Sequence, residues 1–305
     1  MKLDVAFDGR APRGAGAFAQ AAEAAGFDTL WTSETQHDPF LPLAIAAERT
    51  ERVRLGTAVA IAFARSPTVV AHTAWDLAAA SSGRFILGLG TQVQAHIERR
   101  FGMPWSPPVP RLREYVEALR AVWAAWQRGE RLRVEGEHYR LTLMTPFFSP
   151  PPLPVPFPPV YIAGVGAPLA RLAGAIADGF HVHPLHSRRY LLEVVRPAIA
   201  EGAARAGRRV EDVTLVAPAF YIPAGDAAAA AEVRAQIAFY ASTPSYRGLL
   251  ALHGWEQAGA ELSARARRGE WARLPELIDE AMLAEFAVTA RWDELPERLA
   301  QRYAG

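Results

Sequence analysis

The chain has 305 residues, half of them hydrophobic and 21% charged, and its 33 basic and 32 acidic residues leave a net charge of +1. That balance gives no general electrostatic case for nucleic acid or an anionic membrane. The absence of cysteine excludes disulfides, thiolate nucleophiles, cysteine-ligated zinc and cysteine-held iron–sulfur clusters.

Short apolar runs alternate with helical patterns from the start. Residues 3–7 read as a strand and 14–26 as a small-residue helix closed by Gly26. A second strand is predicted at 29–32 and a helix at 41–51. A third strand, 53–60, leads to a helix that begins near Pro67, a favourable first-turn residue. The fourth strand is 84–89. A long interruption follows over 91–159, with an amphipathic helix near 111–128 and a hairpin pairing 132–134 with 138–140. Its last part, 146–159, holds eight prolines and reads as an extended connector, with a lid over the site as the functional alternative. Strands at 160–163, 180–182 and 213–222 alternate with helices at 168–178 and 188–206. The remainder is helical, at 226–241, 245–267, 271–285 and 292–303. No eighth strand is found after the last helix, where the chain stops at Tyr303-Ala304-Gly305. Either the sheet closes unusually or that strand is missing from this sequence.

The strands are apolar throughout rather than alternating, as expected of a parallel sheet covered on both faces. Repeated strand–helix units point to a (β/α) barrel or a doubly wound sheet. The barrel is preferred because the first turn carries no dinucleotide fingerprint. The expected organisation is one α/β domain over 1–305, a (β/α)8 TIM barrel with an insertion at 91–159 between its fourth and fifth strands.

Several chemistries drop out at once. Lys2 is the single lysine, so no P-loop lysine exists and a Schiff-base enzyme would need that residue ahead of the first strand. No run of 18 apolar residues and no secretory signal pattern occurs, so a soluble cytoplasmic protein is expected. What remains clusters at the strand ends, where barrels hold their sites. Glu34, His37 and Asp38 follow the second strand as proton-transfer candidates. The stretch from Gly56 to Pro67 leaves the strand through small side chains, which let a flat ring approach the backbone, with a tightly packed strand as the plainer reading. Gly88, Gly90 and Thr91 end the fourth strand, and Gly164, Val165, Gly166 and Ala167 form a turn into a helix start suited to a phosphate. His181 and His183 share a strand face at metal-ligand spacing, but no further ligands accompany them, so no metal is expected and a contact to substrate or cofactor is the better functional reading.

Together these segments resemble the bacterial luciferase-like family of flavin and deazaflavin oxidoreductases. The likeness rests on Gly26-Phe27-Asp28-Thr29-Leu30-Trp31 with Glu34, on Arg54-Leu55-Gly56-Thr57-Ala58-Val59, on Ser81 through Gly90, and on Ala173 through Gly179. Within the family, Thr91-Gln92-Val93, the stretch from His96 to Phe101 and Met103-Pro104-Trp105 are similar to the branch that uses coenzyme F420. The resemblance implies a cis peptide at Ala58-Val59 supporting a bent deazaflavin, cofactor contacts at Gly88, Gly90 and Thr91, and phosphate held by Gly164 to Ala167. It implies hydride transfer to or from a small organic substrate, with FMN-dependent monooxygenation or a non-catalytic flavin-binding barrel as alternatives. A homo-oligomer, a dimer, is the expected state. Better-known deazaflavin dehydrogenases place a histidine where Thr35 stands and a glutamate near Val93. Glu34, His37, His96 and His183 are therefore the acid–base candidates here.

Overall fold

The computed structural model describes residues 2–7 and 11–304. The chain divides into two compact units. One comprises Met1–Gly164, Ala175–His181 and Glu211–Thr214, and the other Val165–Gly174, Val182–Val210 and Leu215–Gly305.

The first unit begins β1 (Asp4–Ala6), α1 (Ala15–Ala24), β2 (Thr29–Thr32), α2 (Phe40–Ala47), β3 (Arg54–Thr57), β4 (Ala60–Ile61), α3 (Pro67–Ala80) and β5 (Phe85–Gly90). The predicted third strand is thus two pieces. Every residue of β2 and of β5 is buried, which explains the missing polar alternation. Registers run parallel, with Trp31 opposite Gly56, Thr32 opposite Thr57, Leu55 opposite Phe85 and Gly88 opposite Tyr161. Ser66 caps α3 by accepting the Val69 amide, with Pro67 in the first turn, as that sequence suggested.

The interruption after β5 holds α4 (Gln94–Arg99), α5 (Pro108–Arg128), the hairpin of β6 (Val134–Glu135) with β7 (Arg140–Leu141), and then β8 (Val160–Gly164). Hairpin pairing is shifted from the expected register, to Val134 with Leu141 and Glu135 with Arg140. A side chain fixes it. The Glu114 carboxylate accepts the His138 amide at 2.9 Å and the Tyr139 amide at 2.5 Å, tying the turn to α5.

Next come α6 (Ala167–Ile176), β9 (Gly179–Val182), α7 (Arg188–Tyr190), α8 (Arg196–Arg205) and β10 (Thr214–Val216). The main sheet has the order β1-β2-β3-β5-β8-β9-β10, with β4 beside β5. Sequential neighbours of this kind are what strand–helix repeats build. A π-helical turn, Leu191–Val195, joins α7 to α8. Pro197 follows it and lacks the N–H that a regular helix would need.

The second unit continues with β11 (Phe220–Pro223), α9 (Ala227–Ala241), α10 (Arg247–Leu252), α11 (Glu256–Arg267), α12 (Glu280–Phe286), β12 (Ala287–Ala290) and α13 (Leu295–Arg302). The long strand predicted over 213–222 breaks around Pro218, which cannot donate to a ladder. The chain also holds a short strand that the sequence did not suggest, outside the main sheet. It is β12, parallel to β11 with Phe220 opposite Ala287 and Pro223 opposite Ala290. It lies between the last two predicted helices rather than after them. Four residues continuing directly from the apolar end of α12 look like one more helical turn. Burial of Ala287, Val288 and Ala290 with Thr289 exposed is what marks a strand.

Candidate functional site

In the first unit, the ends of β2, β3 and β5 meet at an interrupted strand. The peptide bond between Ala58 and Val59 is cis, as the family resemblance implied. The Ala58 amide donates to the Thr32 carbonyl at 2.7 Å, and the Glu34 amide to the Val59 carbonyl at 3.2 Å. Ala58 and Val59 are half-buried while Leu55–Thr57 and Ala60–Phe63 are buried. The bulge is therefore less enclosed than the segments directly before and after it.

Below it lies glycine backbone. A Cβ at Gly90 would run into the Val59 side chain. One at Gly88 would collide with the Thr57 carbonyl and stand 2.9 Å from His181 Nε2. The Thr57 hydroxyl donates to the Gly88 carbonyl at 2.7 Å and accepts the Gly88 amide at 2.9 Å. Side-chain-free positions thus let two strand ends touch. Thr91, next along, is half-buried and donates its hydroxyl to the Gln92 carbonyl at 3.1 Å.

Glu34 is bound on two sides. Its carboxylate accepts the Ile61 amide at 2.7 Å and an Arg65 Nη1–H at 2.6 Å. The other end of Arg65 pairs with Asp38 at 3.2 Å, whose carboxylate also accepts the Phe40 amide at the start of α2. Burial lowers the Arg65 pKa, but Glu34 and Asp38 more than reverse this and hold it above its ordinary value. The network thus has both carboxylates bound to the one guanidinium. Arg65 stands inside the Gly56–Pro67 stretch, but no spacing pattern pointed to its pairing with Glu34 and Asp38. His37 and His96 are exposed, His96 on α4. The Thr35 carbonyl accepts an Arg100 Nη2–H at 2.7 Å.

His181 is buried against Trp31, edge-on with ring centres 4.7 Å apart, and against Tyr161. Its Nε2 is buried without a partner, and burial lowers its pKa to about 3. It is a neutral core imidazole.

The second unit holds the other candidates. Gly166 sits in the left-handed region at φ +86°, which favours glycine, and α6 starts at Ala167. The Gly166 backbone hydrogen-bonds Tyr190, whose hydroxyl burial otherwise pushes up. Val165, Gly166 and Ala167 are half-buried.

His183 Nδ1 accepts the Leu185 amide at 3.1 Å, so the neutral ring carries its hydrogen on Nε2. Tyr240 stands edge-on with ring centres 4.5 Å apart, and Tyr246 lies at 4.9 Å. Burial, with a smaller contribution from His186, lowers its pKa to about 4. His186 is likewise lowered to about 4 by burial, with Nδ1 at 2.8 Å from the His183 carbonyl and Nε2 at 3.0 Å from the Tyr303 hydroxyl. His181 and His183 therefore have unrelated surroundings. Among the described residues no three His, Asp or Glu side chains are grouped to hold a metal ion, and no helix is long and apolar enough to cross a membrane. Tyr240 and Tyr246 were missed because aromatic residues in helical stretches read as packing.

The luciferase-like monooxygenase profile matches residues 5–305. The chain belongs to the luciferase-like monooxygenase family. A Mycobacterium tuberculosis protein of uncharacterised function is 48% identical over 309 residues, covering 100% of this chain and 91% of that protein. A second protein from that species, described as a candidate coenzyme F420-dependent oxidoreductase, is 31% identical across 92% of this chain and 84% of its own length. The coenzyme F420-dependent tetrahydromethanopterin reductase of Methanopyrus kandleri aligns with a TM-score of 0.78 at 20% identity, covering 99% of this chain and 89% of that one. That structural match shows the luciferase-like barrel fold. The homologues of this luciferase-like chain include F420-dependent oxidoreductases.

Proposed function

We propose that the protein is an F420-dependent oxidoreductase that moves hydride between the deazaflavin and a small organic substrate. The observation that carries this reading is the half-buried Ala58–Val59 segment, whose Val59 side chain occupies the space that a Cβ at Gly90 would need. A half-buried ridge over side-chain-free strand ends suits a flat ring system, and the residues present fit such a group. Ala58, Val59, Gly88, Gly90 and Thr91 would hold the ring portion. Gly164, Val165, Gly166 and Ala167 would hold the phosphate, using amides at the start of α6, a helix of ten residues, where the dipole favours negative charge.

When bound, the deazaflavin supplies a ring carbon that gives or takes hydride and reacts poorly with oxygen. The chain supplies position and a hydrogen-bond donor. His183 is neutral at ordinary pH, so it presents Nε2–H to a substrate oxygen rather than releasing a full proton. A neutral imidazole polarises a carbonyl without the solvation cost of a buried cation. Glu34 acts through position. It holds the Ile61 amide and the Arg65 guanidinium, both beyond the bulge. Exposed His37 and His96 are the remaining proton carriers to test.

Fluorescence titration of the purified protein with F420 and, separately, with FMN tests the reading. Tight binding of F420 and not FMN is the expected result. Tight binding of FMN alone would replace it with oxygen chemistry.

A further inference from the structure

Beyond the β6–β7 hairpin, the first unit turns large apolar side chains toward water. Phe147 is 91%, Leu143 80% and Phe148 66% exposed, and the two phenyl rings stand edge-on with centres 5.2 Å apart. Pro146, Pro151 and Pro152 beside them are exposed as well. Residues 141–170 include no charged side chain and no histidine.

This exposure is built into a stiff support. Trp126 on α5 donates its Nε1–H to the Met144 sulfur at 3.1 Å. The Gln127 side chain bonds both the carbonyl and the amide of Leu153, at 3.0 and 2.9 Å. Between these anchors the Phe148 and Ser149 amides close a turn on the Thr145 and Pro146 carbonyls, at 3.0 and 3.2 Å. The Ser149 hydroxyl adds a bond to the Thr145 carbonyl at 3.1 Å, and the prolines fix their own backbone angles. Rings held this way have already lost the freedom that docking would cost. An apolar patch in water marks an interaction surface.

The surroundings select the partner. A ring as bare as Phe147 has no walls around it, so a small ligand would gain little enclosure. The hairpin just before the patch carries both signs of charge, with Arg133, Glu135, Glu137 and Arg140 all exposed. That mixture is not the polybasic edge that an anionic membrane attracts. Glu135 lies opposite Arg140 in the ladder but pairs with Arg133 at 3.4 Å. Among the described residues Arg140 and Glu137 have no ion-pair partner. One free positive and one free negative charge at the edge of a patch make it complementary to itself. Across a two-fold axis each copy's Arg140 meets the partner's Glu137. The two phenyl groups expose roughly 300 Å². Leu143, the exposed prolines and the hairpin charges extend this toward the roughly 800 Å² per partner of a stable interface.

We propose that residues 142–152 and the hairpin before them form a two-fold docking surface for a second copy of this chain. Phe147 and Phe148 are its centre, and Arg140 and Glu137 its rim. Apolar aromatic anchors inside a polar rim are the arrangement in which a few residues carry most of the binding. The proposal is independent of the cofactor reading.

Sedimentation equilibrium of the full chain over a concentration series is the test. A monomer–dimer equilibrium is expected for the parent. Phe147→Ser and Phe148→Ser should each weaken dimerisation about tenfold or more. Both side chains lie in water, so these variants should keep the parent Tm and the parent F420 affinity. Arg140→Glu and Glu137→Arg should each weaken the dimer, and the double variant carrying both should recover the parent constant, which a merely sticky surface would not do. A parent that stays monomeric refutes the proposal. So does a double variant as weak as its single parents. A dimer that survives Phe147→Ser but is lost in Leu41→Ser, at another exposed apolar position (57% exposed), would place the contact on α2 instead. A monomer whose F420 affinity falls in Phe147→Ser would make the turn a lid, and a monomer that sediments with phosphatidylglycerol vesicles through Phe147 would make lipid the partner. Each of these overturns the proposal.

Discussion

Glu34 and Arg65 meet at 2.6 Å, with the Glu34 side chain 6% exposed and that of Arg65 20% exposed. The same carboxylate holds the Ile61 amide, so the pair fastens the turn after β2 to the strand beyond the cis bulge. Removing Arg65 leaves a buried carboxylate with one donor where it had two. Arg65→Met should therefore cost about 3 kcal/mol of stability and weaken F420 binding. Glu34→Gln, which keeps an acceptor for Ile61, should cost less. Urea denaturation gives the first quantity and fluorescence titration the second. A variant at either position that lost turnover with full stability and full cofactor affinity would show that Glu34 takes part in the reaction directly.

Glycine substitutions separate the two cofactor segments. Gly90→Ala puts a methyl group into the Val59 side chain and should shift the bulge, lowering F420 affinity by an order of magnitude or more. Gly164→Val should crowd the phosphate loop and weaken binding with the fold largely intact. If titration finds Gly164→Val binding as tightly as the parent, the phosphate is held elsewhere.

His183→Ala should lower kcat more than it raises KM, since its donor acts on the reacting oxygen. The pH profile carries a second signature. With its pKa lowered to about 4, His183 keeps one protonation state from pH 5 to 8 and contributes no inflection there. An inflection in that range that vanished in His37→Ala or His96→Ala would assign proton transfer to that exposed residue. Turnover untouched in His183→Ala would make the imidazole structural.

Stability should decline in mild acid. His181, His183 and His186 are lowered to about 3, about 4 and about 4. The unfolded chain takes up protons at these positions near pH 6.5, while the folded chain does not until about pH 4 or below. Their contribution is complete above pH 6.5 and is lost as pH falls toward the folded values. Each histidine removes up to about 1.4 kcal/mol per pH unit in that window. Denaturant midpoints at pH 7 and pH 5 measure the slope, and His186→Gln should flatten it. Equal midpoints for the parent would mean that the imidazoles are hydrated in the folded state.

The repeating pattern of the chain was readable because buried parallel strands and their helices have unmistakable compositions. Ile86-Leu87-Gly88-Leu89-Gly90 can be little else. The short strand Ala287–Ala290 escaped because four residues leaving a helix carry too little periodicity to contradict it. Positions near the site were legible where backbone makes them, at Ala58-Val59 and the glycines. They were illegible where side chains find one another across long separations. No spacing rule joins Glu34 to Arg65, or His183 to Tyr240. Glu34 was marked as a proton-transfer candidate for its type and location, and its ion pair only appears once the chain is folded.

The glycine floor beneath Val59 has a consequence for how such a protein diversifies. Buried main-chain contacts offer point mutation almost nothing to exchange, since any added side chain at Gly88 meets Thr57 and His181. Novelty must then accumulate at places such as Thr35, Val93 and Phe239, where a new side chain meets water first. Geometry fixes the buried strand ends, and the exposed positions are left free to change.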